Sequence, residues 1–334
     1  MSEVISRSFS FGTDLKRSNL RCLEVMAMVS WRSYMKKRVR GEERFIPWFF
    51  HDKIRCFEWC QGMSIPTPQI FRVFPTPDDI EIPDDLARFV LKPTKFSSTR
   101  GVMVLDREMD LFLDSMSKKR FDIDGIVSLQ RELAAQFSVR GNRWILEERV
   151  IDKEGHDLPL DFKAYAFCGR VELFLVIDRS TRPTSVAWFD GNLSPVRSHD
   201  VRLNPKYVQK LEGLQIGEYS EVFELSAKVS DRVNSPFARI DLYNSSRGPL
   251  LGEITLTPGG LYYGDHYNMS EGLDQLMGAL WAHAATVVDE RRDVLSELAY
   301  QKEFLACEAT ERTAVLDLMN YPFRLAEAIE QCRK

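Results

Sequence analysis

Apolar residues recur at two different spacings along this chain, and the change of spacing divides it into elements. From Lys53 to Gly62 the pattern reads as a helix ending at its glycine, and Ile65-Pro66-Thr67-Pro68 must then run extended, because each proline disfavours the helical conformation in the residue before it. Short runs and turn-forming segments alternate next: a strand over Gln69 to Phe74, a proline- and aspartate-rich loop over Pro75 to Asp85, and an apolar strand over Ala87 to Lys92. A polar loop over Pro93 to Gly101 and a returning strand over Val102 to Leu105 follow. Helical spacing returns between about 124 and 137, in Ile126, Leu129, Leu133 and Phe137. It gives way to a strand over Trp144 to Leu146, with Glu147 and Glu148 at its end.

Two strand pairs come after it. Phe162 to Phe167 and Val171 to Ile177 are joined at Cys168-Gly169-Arg170, a tight hairpin by its glycine, and Phe237 to Tyr243 and Leu250 to Leu256 flank residues 244–248. From Ser270 the spacing is helical again, through Leu273, Leu276, Met277, Leu280, Trp281, Ala284, Val287 and Val288, with more helix beyond and a break near Pro322. At the other end, the basic stretch Lys36-Lys37-Arg38-Val39-Arg40 precedes Phe45, Trp48, Phe49 and Phe50. This reads as a solvated helix end followed by a core anchor, with a basic arm for a phosphorylated partner as the alternative.

Composition narrows the function classes. At 334 residues, 44% hydrophobic and 28% charged, the chain has the length of about two domains and cannot be disordered over most of it. A formal charge of −4 gives no global field toward nucleic acid or an anionic membrane, so any anion site must be local. No apolar run approaches the roughly 18 residues of a membrane-spanning helix, and Met1 to Asp14 lacks the apolar centre of a secretory signal. The expectation is a cytoplasmic protein with no membrane span and no nucleic-acid partner. Six scattered cysteines without a CxxC pair fit free thiols; Cys56 and Cys60, with His51 nearby, lack a fourth ligand and read as buried thiols rather than a zinc site.

The candidate chemistry lies on the strand pairs. Alternation puts Arg239 and Asp241 on one face of their strand and Glu253 and Thr255 on one face of the next. Two carboxylates and a neutral oxygen suit magnesium held together with phosphate oxygens, although an exposed sheet face with surface ion pairs would show the same pattern. Lys92, followed by Ser97, Ser98, Thr99 and Gly101, could meet phosphate through a point charge, hydroxyls and backbone N–H groups, or be a plain polar hairpin; neither a Walker nor a Rossmann glycine motif is present. His156 and His266 read as ordinary loop histidines.

In order, these pieces resemble the ATP-grasp superfamily of ligases, specifically its teichuronopeptide-biosynthesis (TupA-like) branch. His51-Asp52-Lys53 with Gly62 and Pro66-Thr67-Pro68 is similar to the "DK...G...P.P" opening, and Phe89-Val90-Leu91-Lys92-Pro93 to the "V-x-K-P" strand. Ser97 to Gly101 falls where the phosphate-covering loop belongs. Ile145-Leu146-Glu147-Glu148-Arg149-Val150 resembles the adenine hinge, Asp161-Phe162-Lys163 the "D-Y-K-F" element, Arg239 to Tyr243 "R-V-D-L-Y", and Gly252 to Gly260 "G-E-L-T-F-x-P-x-G". Thr255 stands where most of the superfamily has asparagine, and 52 residues precede Lys53, fewer than the α/β domain usually found there.

The resemblance implies an α+β protein with the ATP-grasp fold, two α/β subdomains clasping ATP, a shortened N-terminal region and a helical C-terminal segment. It divides the chain into an N-terminal helical and basic segment (1–50), an ATP-grasp domain (51–270) with a lid-like part (about 87–146) and a metal-binding core (about 147–270), and C-terminal helices (271–334). It implies ATP and Mg2+, with two ions, as cofactors. Lys53, Lys92, Ser97, Ser98 and Gly101 would meet phosphates, Lys92 adenine as well; Glu147, Glu148 and Val150 would meet adenine and Asp161 the ribose. Asp241, Glu253 and Thr255 would hold metal, and Arg239, Lys163 and Arg179 would face the transferring group or substrate. The implied reaction joins a carboxylate to an amine through an acyl phosphate, adding an amino acid or amine to a uronic-acid-bearing surface glycan or its precursor, with Tyr262-Tyr263-Gly264-Asp265 lining the acceptor site. A kinase acting on a hydroxyl and a scaffold without turnover remain as alternatives.

Overall fold

Side chains of opposite character alternate along the central strands, and the structure sorts them onto opposite faces of two sheets. The computed structural model describes residues 30–96 and 99–302. In chain order its elements are helices α1 (Trp31–Val39) and α2 (Lys53–Gly62), then strands β1 (Ile70–Phe74), β2 (Arg88–Pro93), β3 (Met103–Glu108), β4 (Leu111–Asp114) and β5 (Lys119–Phe121). Helix α3 (Ile123–Phe137) leads to β6 (Trp144–Glu148), β7 (Asp161–Phe167), β8 (Arg170–Asp178), β9 (Thr184–Asp190), β10 (Val201–Leu203) and β11 (Val208–Lys210). Helix α4 (Ser220–Arg232), β12 (Ala238–Ser245), β13 (Gly248–Thr255), α5 (Gly259–Tyr263), β14 (Tyr267–Met269) and α6 (Glu271–Lys302) complete it. The pattern-derived helices and strands are all present to within a few residues, and the break near Pro322 lies outside the described residues.

The first sheet is antiparallel in the order β1-β6-β2-β3-β4-β5. Phe89 and Leu91 of β2, Trp144 and Leu146 of β6 and Leu105 of β3 pack with Ile126 of α3 into one apolar cluster. The alternate residues Val90, Lys92 and Glu147 are thereby left on the other face. Asp122 caps α3 by accepting from the Gly125 N–H at 2.8 Å, and Ser138 closes it in the left-handed conformation.

The second sheet, in the order β11-β9-β8-β7-β12-β13, is antiparallel except for the β11–β9 pair. On one face Phe162, Ala164 and Ala166 of β7 and Ile240 and Leu242 of β12 pack with Cys56, Trp59 and Cys60 of α2 and Val222 and Val229 of α4. On the other, Leu173, Leu175 and Ile177 of β8 and Val186 and Trp188 of β9 pack with Trp31 and Met35 of α1, Met277 and Trp281 of α6, and Tyr267 of the two-stranded β10–β14 ribbon. That cover is confined to part of the face. Where β7, β12 and β13 run side by side, the same face carries charges.

The N-terminal segment departs from expectation. Lys36 and Lys37 are exposed, but Arg38 is fully buried. Its guanidinium pairs with Glu43 at 2.6 Å and donates to Phe237 O at 2.8 Å, Leu256 O at 3.0 Å and Ser235 Oγ at 3.2 Å, while stacking 4.2 Å from the Trp281 ring. Of the aromatic anchor only Phe50 is fully buried and Phe49 partly so. Phe45 is 74% exposed, its ring meeting the Arg292 guanidinium of α6 at 5.0 Å, and Trp48 is 39% exposed. Cys56 and Cys60 are buried free thiols. No helix of the described residues is long and apolar enough to cross a membrane.

Candidate active site

A cleft of about 1060 Å³, open to solvent at its mouth, lies between the two sheets. The first sheet contributes Val90, Lys92, Val104 and Glu147; the second contributes Asp161, Lys163, Asp241, Tyr243 and Glu253. The second wall is a grid fixed by strand register. Tyr165, Arg239 and Thr255 form one row, Lys163, Asp241 and Glu253 the next, and Asp161 and Tyr243 the third. Between Asp241–Glu253 and Leu242–Leu251 the pairing skips Gly252, a bulge that shifts the ladder by one residue at the metal-binding candidates.

Ion pairs tie this grid together. Lys163 Nζ bridges Asp161 Oδ1, at 2.9 Å, and Asp241 Oδ2 by a short contact. Arg239 grips both oxygens of Asp241, at 2.6 and 2.7 Å, and donates to Thr255 Oγ1 at 2.9 Å. Arg179 takes Asp161 Oδ2 at 2.7 Å. Burial alone would raise the Asp161 pKa, but Lys163 and Arg179 bring it down to about 2. Burial works against the Arg239 charge, yet Asp241 raises its pKa further.

Glu253 is different. Among the described residues its carboxylate has no hydrogen bond or ion pair, and although burial pushes its pKa up, the combined field of Lys53, Arg239, Lys163 and Lys92 holds it below the ordinary value. An ionised carboxylate without a partner, directly beside Asp241, is a pair of hard oxygen donors suited to a divalent cation. The residues therefore fit magnesium. Thr255 Oγ1 is engaged by Arg239, so the two carboxylates are the donors that stand out.

Lys53 opens α2 behind its N-cap Asp52, whose side chain accepts from Ile54 N–H at 3.0 Å. Its backbone donates to Thr94 O and its ammonium to Phe96 O, both at 3.0 Å, which ties the helix to the loop after β2. Burial lowers the Lys53 pKa; Glu253 offsets this and Lys92 adds to it. Lys92 pairs with Glu147 Oε1 at 2.6 Å. Glu148 accepts from Gln69 N–H and is gripped by Arg247 at 2.5 Å.

Most of the residues singled out from sequence line this cleft: Lys53, Lys92, Glu147, Glu148, Val150, Asp161, Lys163, Arg179, Asp241 and Glu253. Ser97 and Ser98 lie outside the described residues. Gly101 is not among the lining residues; with φ +70° it packs where a Cβ would stand 2.8 Å from Pro93, and its carbonyl accepts from Gln130. His156 binds Asp152 at 2.7 Å, and His266 stands 5.0 Å from the Tyr207 ring. Val90, Val104, Met116, Leu158 and Tyr243, none of them among the residues singled out from sequence, also line the cleft. Alternation with Lys92 was a usable signal for Val90; Met116 and Leu158 come from loops and carry none.

A family model described as TupA-like ATPgrasp matches residues 34–282. Among solved structures, D-alanine–D-alanine ligase from Bacillus anthracis is 15% identical with a TM-score of 0.39, over 72% of this chain and 69% of that one. D-cycloserine synthetase DcsG is 14% identical with a TM-score of 0.39, over 71% of each chain. The ATP-grasp ligase PsnB, complexed with minimal precursor, is 11% identical with a TM-score of 0.39, over 70% of this chain and 60% of its own. No curated protein matches the chain.

Proposed function

The chain belongs to the TupA-like ATP-grasp family, and from that premise we propose that it is a Mg2+- and ATP-dependent ligase joining a carboxylate to an amine. ATP-grasp enzymes use ATP and Mg2+ generally. The observation that carries the reading here is the register pairing of Asp241 with an ionised Glu253 that has no hydrogen bond or ion pair among the described residues, in the same cleft as Lys53, Lys92 and Lys163.

The chemistry asks for positioning and charge neutralisation. A carboxylate resists attack by an amine until one oxygen becomes a good leaving group, which an acyl phosphate made at the expense of ATP supplies. Magnesium, when bound, offsets phosphate charge. In this reading Asp241 and Glu253 hold the metal, and Thr255, one row away and hydrogen-bonded to the Arg239 that grips Asp241, is the third metal-side oxygen. Lys53, Lys92 and Lys163 face the phosphates, Ser97, Ser98 and Gly101 belong to the loop that covers them, and the hinge from Glu147 and Glu148 to Val150 holds the base. Arg239, already two hydrogen bonds deep in Asp241, stabilises charge developing on the transferred group, and Arg179 faces the substrate at the mouth. Asp161 anchors both Lys163 and Arg179.

The same reading keeps residues about 87–146 as the lid-like part, residues about 147–270 as the metal-binding core, and Tyr262 to Asp265 as the acceptor side. The substrate class it names is an acidic glycan or precursor and an amino acid or amine, within polysaccharide biosynthesis in the cytoplasm, with two magnesium ions. The test is thermal stability with and without Mg-ATP, followed by ADP release across a panel of acids and amines. A magnesium-dependent rise, worth roughly 2.7 kcal/mol at about 100 times the dissociation constant, supports the site. A phosphorylated product without amide would make the protein a kinase, and no rise at all would leave a scaffold.

A further inference from the structure

Both oxygens of Asp161 already hold a cation, Lys163 at 2.9 Å and Arg179 at 2.7 Å, although the family pattern places this residue beside the ribose. Its direct partner across the β7–β12 ladder is Tyr243, two residues after Asp241 and on the same face. The Tyr243 ring rests against the bulge at Gly252, where a Cβ would stand 2.8 Å from Cε2 and 3.4 Å from Cζ. Gly252 has no left-handed φ to require a glycine, so what it supplies is room for this ring.

No hydrogen bond to the Tyr243 hydroxyl is found among the described residues, and the side chain lines the cleft together with Glu147 to Val150, Lys53, Lys163 and Asp241. Its hydroxyl lies within electrostatic reach of Glu147 at the hinge and of Asp161, Arg179 and Asp241 in the charged grid. In a nucleotide the group between the base and the phosphates is the sugar. A phenol can donate and accept at once, which suits a vicinal diol.

We propose that Tyr243 reads the sugar: its hydroxyl hydrogen-bonds the ribose hydroxyls of the bound nucleotide, and Gly252 is the space that seats the ring to do so, making the cleft selective for ribonucleotides over deoxynucleotides. The inference rests on the nucleotide reading of the cleft. A site built around such a hydrogen bond disfavours the ligand that lacks the hydroxyl, because the protein's own polar group is then left buried without a partner.

The experiment compares calorimetric binding of ADP and 2′,3′-dideoxy-ADP, with magnesium, to the full-length wild type and to Tyr243→Phe, which keeps the ring and its contact with Gly252. The wild type should bind ADP about tenfold more tightly than the dideoxy form. In Tyr243→Phe the two should fall within about twofold, with ADP bound more weakly than by the wild type and the dideoxy form at least as tightly as by the wild type. Equal wild-type affinities, or a phenylalanine variant that keeps the wild-type ratio, overturn the sugar assignment and leave the nucleotide reading standing. A folded wild type that binds neither nucleotide overturns both.

Discussion

Asp241 and Glu253 are direct partners across the β12–β13 ladder, yet among the described residues protein cations grip only Asp241. Arg239 and Lys163 hold that carboxylate, whereas Glu253 is kept ionised by the surrounding field with no hydrogen bond or ion pair among those residues. The two neighbouring carboxylates thus have different surroundings, and substitutions at the two positions should separate.

Glu253→Gln should lower turnover at least about 100-fold, as removal of an electrostatic stabiliser does elsewhere. It should leave the fold intact, because among the described residues no hydrogen-bonded or ion-paired partner is stranded; the melting temperature without added nucleotide should sit at or modestly below wild type, since the field of Lys53, Arg239, Lys163 and Lys92 favours the ionised carboxylate. Steady-state ADP release and a thermal melt check both halves, and near-normal turnover would remove Glu253 from the metal site.

Asp241→Asn should cost considerably more stability. It strands Lys163 and Arg239 in a buried setting, where loss of one partner of an ion pair costs about 3–5 kcal/mol. A urea titration would show a lower midpoint than for Glu253→Gln. Equal midpoints would mean that Asp241 is not the structural centre of the grid.

Asp161 gives the pH dependence. Its pKa falls from an ordinary value of 3.8 to about 2 in the folded protein. A carboxyl whose pKa is lowered by folding adds stability that is present above the unfolded value and lost as pH falls through the folded one. The contribution, on the order of 2 kcal/mol, should disappear between about pH 4 and pH 2. Denaturant titrations across that range should fall less steeply for Asp161→Asn; identical slopes would assign the acid sensitivity to other groups.

Gly252→Ala tests the seat of Tyr243. A methyl group 2.8 Å from Cε2 forces the ring to move, with a stability cost of about 1–3 kcal/mol typical of overpacking. The cost should shrink in a Tyr243→Leu background, where the crowded ring atoms are gone. A double-mutant cycle with no coupling would show that the glycine serves something else.

Much of the fold was readable because local signals and tertiary packing agree. Helix α2 starts behind an N-cap aspartate, and the β7–β8 turn uses Gly169 at φ +89°. Helix α4 was invisible because two of its inward positions, Ser226 and Ser230, are buried serines that break the apolar spacing. Strand β9 is buried on both faces, Val186 and Trp188 toward one and Ser185 and Phe189 toward the other, so its alternation is erased. Of the cleft, the residues with strong charge in a strand frame could be placed from sequence, since register alone brings Lys163, Asp241 and Glu253 into one row. Arg38 could not. In a run of basic residues its neighbours look equally solvated, and only its distant acceptors distinguish it.

Those acceptors give Arg38 a place in the history of the chain as well as in its structure. The guanidinium clamps Phe237 O and Leu256 O, at the open end of the hairpin that carries Arg239 and Thr255, and the two carbonyls lie 199 and 218 residues downstream. During synthesis α1 leaves the ribosome long before its partners exist, so this arginine stays hydrated until the hairpin emerges. Loop closure on that scale is slow to nucleate and late to complete. The charged face of the cleft is therefore braced by a residue far upstream in the sequence, through a contact that cannot form until the hairpin exists.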